Sequence, residues 1–269
     1  MQFEKLIKNM EYPIHKEQNF KYVEVGKGKQ TLLLLHGLFG ALSNFKALLN
    51  HFGKRYKVVV PLLPILELPL REVSVLSLTD YVRKFVEYRG YKNVHLLGNS
   101  LGGHIALLYT LQYPADVRTL TLTGSSGLFE SSLGSTFPKR GDYEFIKERT
   151  VHTFYNPELA SKELIDEVYD IVNDRQKVLQ IIATAKSAIR QNLEDKLHTI
   201  EQPTLLIWGE EDTVTPPFVG EGFHKLIKNS QLYLVKKCGH APMMEQPQEF
   251  NAYLDAFLNN HIEPEETRS

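Results

Sequence analysis

"LLGNSLGGHIAL", residues 96–107, sets one serine among three glycines where an apolar run gives way to a helix-like pattern. A core helix has no need of Gly102 and Gly103 in its first turn, since each glycine costs about 1 kcal/mol against alanine in a helix interior. A backbone that must turn sharply does need them. With "NVHLLG" (93–98) read as a strand and 101–113 as a helix, Ser100 falls on a strand-to-helix turn of the form G-x-S-x-G. In that context the small residues leave room for a strained turn that presents the hydroxyl, and the first N–H groups of the helix face the reacting oxygen. The plain alternative is a tight turn carrying a bystander serine.

Outward from this turn the chain keeps one rhythm. "FKYVEVGKG" (20–28) alternates apolar and polar residues like a hairpin strand, and "TLLLLHG" (31–37) is a continuous apolar run stopped by glycine. Such a run reads as a strand buried on both faces. A helix at "FKALLNHFG" and a strand at "YKVVVP" (56–61) follow, then a helix at "SLTDYVRKFVEYRG" (77–90) with a Ser or Thr cap and a glycine stop. Further strands are expected at "VRTLTLTG" (117–124), "PTLLIWG" (203–209) and "SQLYLVK" (230–236). Strand and helix alternating in this way imply parallel βαβ units and a sheet covered on both faces. Between about 125 and 200 the rhythm breaks into polar, helix-prone sequence, expected to form a lid above the carboxyl ends of the strands.

The chain has 269 residues, enough for one large α/β domain with an insertion. Its 31 basic and 32 acidic residues leave a net charge of −1, which predicts neither a nucleic-acid-binding surface nor a polybasic membrane footprint. The N-terminal "MQFEKLIKNMEY" has no apolar signal region and no run reaches the length of a membrane span, so a cytoplasmic protein is expected. The single cysteine, Cys238, excludes an internal disulfide framework and reads as a small buried residue. No H-E-x-x-H and no Cys/His ligand spacing occurs, so no metal is expected.

A serine at neutral pH is a poor nucleophile unless a base, itself oriented by an acid, takes its proton. The acid is expected past a later strand, where "LLIWGEEDTVTP" offers Glu210, Glu211 and Asp212, with Asp212 far enough past the glycine to turn back over the sheet. The base follows in "VKKCGHAPMMEQP" as His240, just past the last strand, unless His240 is an ordinary loop histidine. Acyl transfer also needs two N–H donors for the oxyanion. Leu101 supplies one, and "HGLFGALSNF" (36–45) supplies the other from Leu38 or, second in line, Phe39. His104, four residues after Ser100, is read as helix packing.

The four motifs HG-x-x-G, GNSLGG, WG-x-x-D-x-x-x-P and GH-x-P, in this order, resemble the α/β-hydrolase superfamily over about residues 20–260. That resemblance implies an α/β-hydrolase fold with a mostly parallel eight-stranded sheet flanked by helices. The core would be 1–124 and 201–269, with a helical cap at 125–200. It also implies a Ser100–His240–Asp212 triad, no cofactor, and a small-molecule substrate met as a monomer or homodimer. The expected reaction is hydrolysis of small carboxylic esters or thioesters. Asn44, Asn99 and Arg175 also resemble positions of the meta-cleavage C–C hydrolases, whose cap arginine holds a substrate carboxylate, but Ala241 stands where that family has tryptophan. A third reading is a hydrolase-like small-molecule receptor. The segment "PLLPILELPL" (61–70) departs from the superfamily's Asp-x-Pro-Gly-x-Gly turn, and so apolar a loop is expected to be covered by the cap, by the core or by a partner chain.

Overall fold

The computed structural model describes residues 12–39, 42–129 and 140–262, so the N-terminal stretch and part of the expected insertion lie outside it. Eight strands form one sheet in the order β1-β2-β4-β3-β5-β6-β7-β8. They are β1 (His15–Glu17), β2 (Phe20–Val25), β3 (Thr31–Leu35), β4 (Lys57–Pro61), β5 (Val94–Asn99), β6 (Val117–Thr123), β7 (Thr204–Gly209) and β8 (Ser230–Val235). β2 pairs antiparallel with both β1 and β4. From β4 to β8 every pairing is parallel, so those six strands end on one edge. The expected strands are all present.

Helices cover both faces, as continuous apolar strands require. Leu33, Leu35 and Leu96 pack with Val82 and Phe85 of α2 (Val75–Arg89), Ile105 and Tyr109 of α3 (Leu101–Gln112) and Phe223 of α7 (Pro217–Leu226). Leu32, Leu34 and Leu97 face the other way, toward Leu49 and Phe52 of α1 (Lys46–Phe52) and Phe250 and Leu254 of α9 (Pro247–Asn259). Period-two alternation within β3 therefore feeds two cores, and each buried leucine contributes about 1.5–3 kcal/mol. α2 starts two residues before the expected stretch: Ser74 caps it by accepting from the Ser77 amide at 3.0 Å. Its stop is as expected, with Gly90 in the left-handed region at φ 65°.

Among the described residues, three α-helices lie between β6 and β7: α4 (Tyr143–Val151), α5 (Lys162–Asn173) and α6 (Arg175–Arg190). The segment that follows them returns beside the one that precedes them, since the Leu193 amide donates to Gly127 O at 2.8 Å and Asn192 Nδ2 to Leu128 O at 2.8 Å. His104, fully buried, ties the same place to α3 by donating from Nε2 to Gln191 O at 2.9 Å. The apolar loop 61–70 is covered within the chain over its first half, while Glu67, Pro69 and Leu70 are exposed. Leu62, Leu63 and Ile65 are buried, and Gln180 of α6 donates to Leu68 O at 2.6 Å. Among the described residues no helix is long and apolar enough to cross a membrane.

Two buried histidines give the fold an acid limit. Burial, reinforced by Arg118 and His261, holds His95 down to about 4, and burial holds His104 down to about 4 as well. An unfolded histidine titrates near 6.5, so between these values the unfolded chain binds protons that the folded chain does not. Stability is therefore full above about pH 6.5 and falls as the pH drops toward 4. Urea unfolding at pH 7.5 and pH 5 should show a lower midpoint at pH 5, and His95→Gln should flatten that dependence. An unchanged slope in the variant would remove His95 from this account.

Candidate active site

The parallel strands deliver four loops to one edge. β3 leads to Leu38, β5 to Ser100, β7 to Asp212 and β8 to His240. β3 lies between β4 and β5, so the chain winds in opposite directions from it. A crevice opens outside such a switch point, at the carboxyl ends of the strands.

Ser100 occupies this place in a backbone conformation of φ 55° and ψ −121°. A non-glycine residue there carries strain on the order of 1–3 kcal/mol. Hydrogen bonds on both sides hold it. The Ser100 amide donates to Thr123 O at 3.1 Å, and its carbonyl accepts from the amides of Gly103 at 3.0 Å, His104 at 3.2 Å and Ser126 at 3.2 Å. The glycines answer to close approaches. A Cβ on Gly98 would lie 2.4 Å from Gly102 O, one on Gly102 would lie 2.1 Å from Leu35 O, and one on Gly103 would meet Ser125 Oγ at 2.2 Å. The half-buried Ser100 thus stands on a turn that larger neighbours would not allow.

Asp212 and His240 are both buried and form a pair: His240 Nδ1 donates to Asp212 Oδ2 at 2.9 Å. The other carboxylate oxygen, Oδ1, accepts from the amides of Val214 at 2.8 Å and Thr215 at 2.9 Å, while Thr215 Oγ1 donates to Oδ2 at 2.9 Å. Trp208 anchors the same loop by donating to Thr215 O at 2.7 Å. The ring of His240 packs against the turn after β6, where a Cβ on Gly124 would approach Nδ1 to 2.9 Å. Glu211 points elsewhere: its Oε2 accepts from the Cys238 amide at 2.9 Å, joining the Asp212 and His240 loops.

The loop after β3 presses on the serine, since a Cβ on Gly37 would be 3.1 Å from Ser100 Cβ. His36 fastens this loop. Its Nδ1 donates to Gly37 O at 2.9 Å and its Nε2 accepts from the Leu63 amide at 3.0 Å. Those roles require one neutral tautomer, and burial pushes the His36 imidazole down accordingly. Leu38 and Phe39 follow, both half-buried, and Leu101 is the first residue of α3.

The other substrate-contact candidates fall in different places. Asn99 is buried, and its amide donates to Thr123 O at 3.0 Å and to His240 O at 3.3 Å, tying the serine turn to the histidine loop. Asn44 is half-buried in the short helical turn Leu42–Phe45. Arg175 is exposed in the first position of α6, just after the capping Asp174. Cys238 is buried, which raises its thiol far above the usual range. Sequence reading took His36 only as part of the HG-x-x-G turn and gave no role to Thr215 or Glu245. Only Glu245, five residues after His240 in the quoted motif, carried a local signal.

Known proteins are similar to this chain in sequence and in fold. The crystal structure of MGS-MChE2, an alpha/beta hydrolase enzyme from a sediment metagenome of the Mar Chica lagoon, Morocco, is 42% identical, with a TM-score of 0.77 over 92% of this chain and 98% of that one. Monoacylglycerol lipase ABHD6 of Bos taurus is 28% identical over 92% of this chain and 81% of its own. A 2-hydroxy-6-oxononadienedioate/2-hydroxy-6-oxononatrienedioate hydrolase of Paraburkholderia phymatum is 28% identical over 90% of this chain and 91% of its own. The profile of the alpha/beta hydrolase fold family matches residues 30–247, a span that opens beside β3 and closes just past the His240 loop. That match over most of the chain, on the eight-stranded sheet described above, makes this chain an enzyme of the alpha/beta hydrolase fold family.

Proposed function

We propose that the chain is a serine hydrolase that cleaves small carboxylic esters or thioesters through an acyl-enzyme. The observation that carries this reading is the Asp212–His240 pair at 2.9 Å, on loops that share an edge with the strained Ser100. With Nδ1–H donated to the carboxylate, Nε2 keeps its lone pair and serves as the base. Ser100 Oγ attacks the substrate carbonyl, and its proton passes to His240 Nε2. The Leu101 amide, at the positive end of α3, and the Leu38 amide stabilise the oxyanion. His240 then protonates the leaving alcohol or thiol. Water, activated by the same histidine, releases the acid. Asp212 keeps the imidazole in one tautomer through both halves, its own position set by the Val214 and Thr215 amides. In this reading α4–α6 form a cap over the site. The lipase relative supports the choice of an ester.

A second reading follows from the Paraburkholderia phymatum relative, a hydrolase of a dienoic keto-acid. Cleavage of its C–C bond needs a partner for a desolvated carboxylate, which alone would cost several kcal/mol. Arg175→Ala separates the two. On neutral p-nitrophenyl esters the variant should lose at most a few-fold, because an exposed arginine contributes little to an uncharged ligand. If the chain were a C–C hydrolase, turnover of a dienoic keto-acid would fall by roughly 10² or more, about 3 kcal/mol of charge-assisted hydrogen bonding. Wild type that cleaves the keto-acid faster than the short-chain esters, with Arg175→Ala removing that preference, overturns the ester assignment. Repeated turnover of the esters, as opposed to a single equivalent of product, excludes a receptor that retains the triad.

A further inference from the structure

The segment after α4 touches both loops that carry the Asp212–His240 pair. Thr213 Oγ1 donates to His152 O at 3.0 Å, beside the acid. The His240 amide donates to Thr153 O at 3.0 Å. One side chain then spans the same boundary. Glu245, the last residue of the short helix α8 (Pro242–Glu245), reaches back with both carboxylate oxygens. Oε1 accepts from the amides of Gly239 at 2.8 Å and Ala241 at 3.4 Å, which flank His240. Oε2 accepts from the amides of Tyr155 at 2.8 Å and Asn156 at 3.4 Å, in the insertion. The surfaces are in close contact, for a Cβ on Gly239 would lie 2.7 Å from Thr153 O and 2.9 Å from Tyr155 N.

An ionised carboxylate accepts on both oxygens and donates on neither, so it alone among side chains of this length satisfies four N–H groups at once. Hydrogen bonds to a charged acceptor are about twice as strong as neutral ones. Burial raises the Glu245 carboxyl from its ordinary value while the four amides pull it back, as expected of a charge held inside by backbone donors.

We propose that Glu245 is a positioning residue that couples the seating of segment 152–156 to the placement of His240, so that the general base is in register only when the insertion is docked. This rests on the triad reading above. Glutamine at 245 keeps the shape but turns one oxygen into an NH2 group, which meets an N–H donor on either side. One of the two loops must then move away. The effect falls on the step that needs the base, and substrate binding is left nearly unchanged.

The test is ester turnover per fluorophosphonate-titrated site, together with amide hydrogen exchange, on the full chain. Glu245→Gln should lower kcat at least tenfold with KM within threefold, and should speed exchange in 152–156 and 239–241 together. Thr213→Val removes an exposed contact of the same seam and keeps the test informative if Glu245→Gln folds poorly. It should speed exchange in both segments and lower kcat by a few-fold. The coupling is overturned if kcat per titrated site stays within twofold of wild type in both variants. It is equally overturned if faster exchange is confined to one of the two segments. Turnover that survives Ser100→Ala would instead remove the triad reading, a separate failure that this comparison distinguishes.

Discussion

Ser100→Ala is expected to abolish ester turnover while leaving the fold intact. The loss should approach the roughly 10⁶-fold in kcat that follows removal of a nucleophile acting in concert with its base. Residual activity would come from the oxyanion donors and substrate binding alone. A fluorophosphonate probe should label wild type and not the variant, and equal labelling of both would place the nucleophile elsewhere. Stability separates the side chain's chemistry from its backbone. Ser100 sits at φ 55° and ψ −121°, a conformation only glycine adopts freely. Ser100→Gly should therefore be as inactive as the alanine variant yet more stable than wild type by about 1 kcal/mol. That is the relief of strain less the greater unfolded freedom of glycine, and it corresponds to a thermal midpoint higher by roughly 2–4 °C. A glycine variant that melts below wild type would contradict the strain seen at the turn.

Asp212→Asn should lower turnover by roughly 10⁴, because an amide in place of Oδ2 can present a donor to Nδ1 and select the wrong imidazole tautomer. The surrounding hydrogen bonds sharpen this expectation. Oδ1 is held by two backbone amides, so asparagine is steered to keep its carbonyl oxygen there and to turn its NH2 toward His240. Glu211→Gln should cost little. The Glu211 carboxylate accepts from the Cys238 amide, and a glutamine carbonyl accepts equally well. Single-turnover ester kinetics on the two variants decide the matter: a large loss that tracks Glu211 and spares Asp212 would move the acid by one residue.

The main features of this site were legible because they depend on local chemistry. Three glycines around one serine have few explanations besides a crowded turn, and the contacts at Gly98, Gly102 and Gly103 supply that explanation atom by atom. Asp212 could be preferred over Glu210 and Glu211 from loop length alone, and it is Asp212 that meets His240. The apolar loop 61–70 left three occupants open; the chain's own core and α6 cover Leu62, Leu63, Ile65 and Leu68, while Leu70 is exposed. Nothing in a loop's own composition says which surface will close over it. Asn99 shows the same limit: an asparagine beside a nucleophile can face a ligand or bind backbone, and here it bridges Thr123 and His240.

Sequence by itself determined seven of the sheet's eight strands, all but β1, the helices on both faces, and the order in which Ser100, Asp212 and His240 arrive at its edge. Periodicity, glycine stops and turn residues act over a few neighbours and need no distant partner to be read. Tertiary structure alone decided that His36 would hold the loop after β3 in one tautomer, and that Glu245 would bind four amides from two segments, 155–156 and 239–241, that are far apart in sequence. Those roles belong to donors and acceptors that are remote along the chain. Whether a polar group is satisfied once buried depends on what folding brings to it, and no local pattern records that.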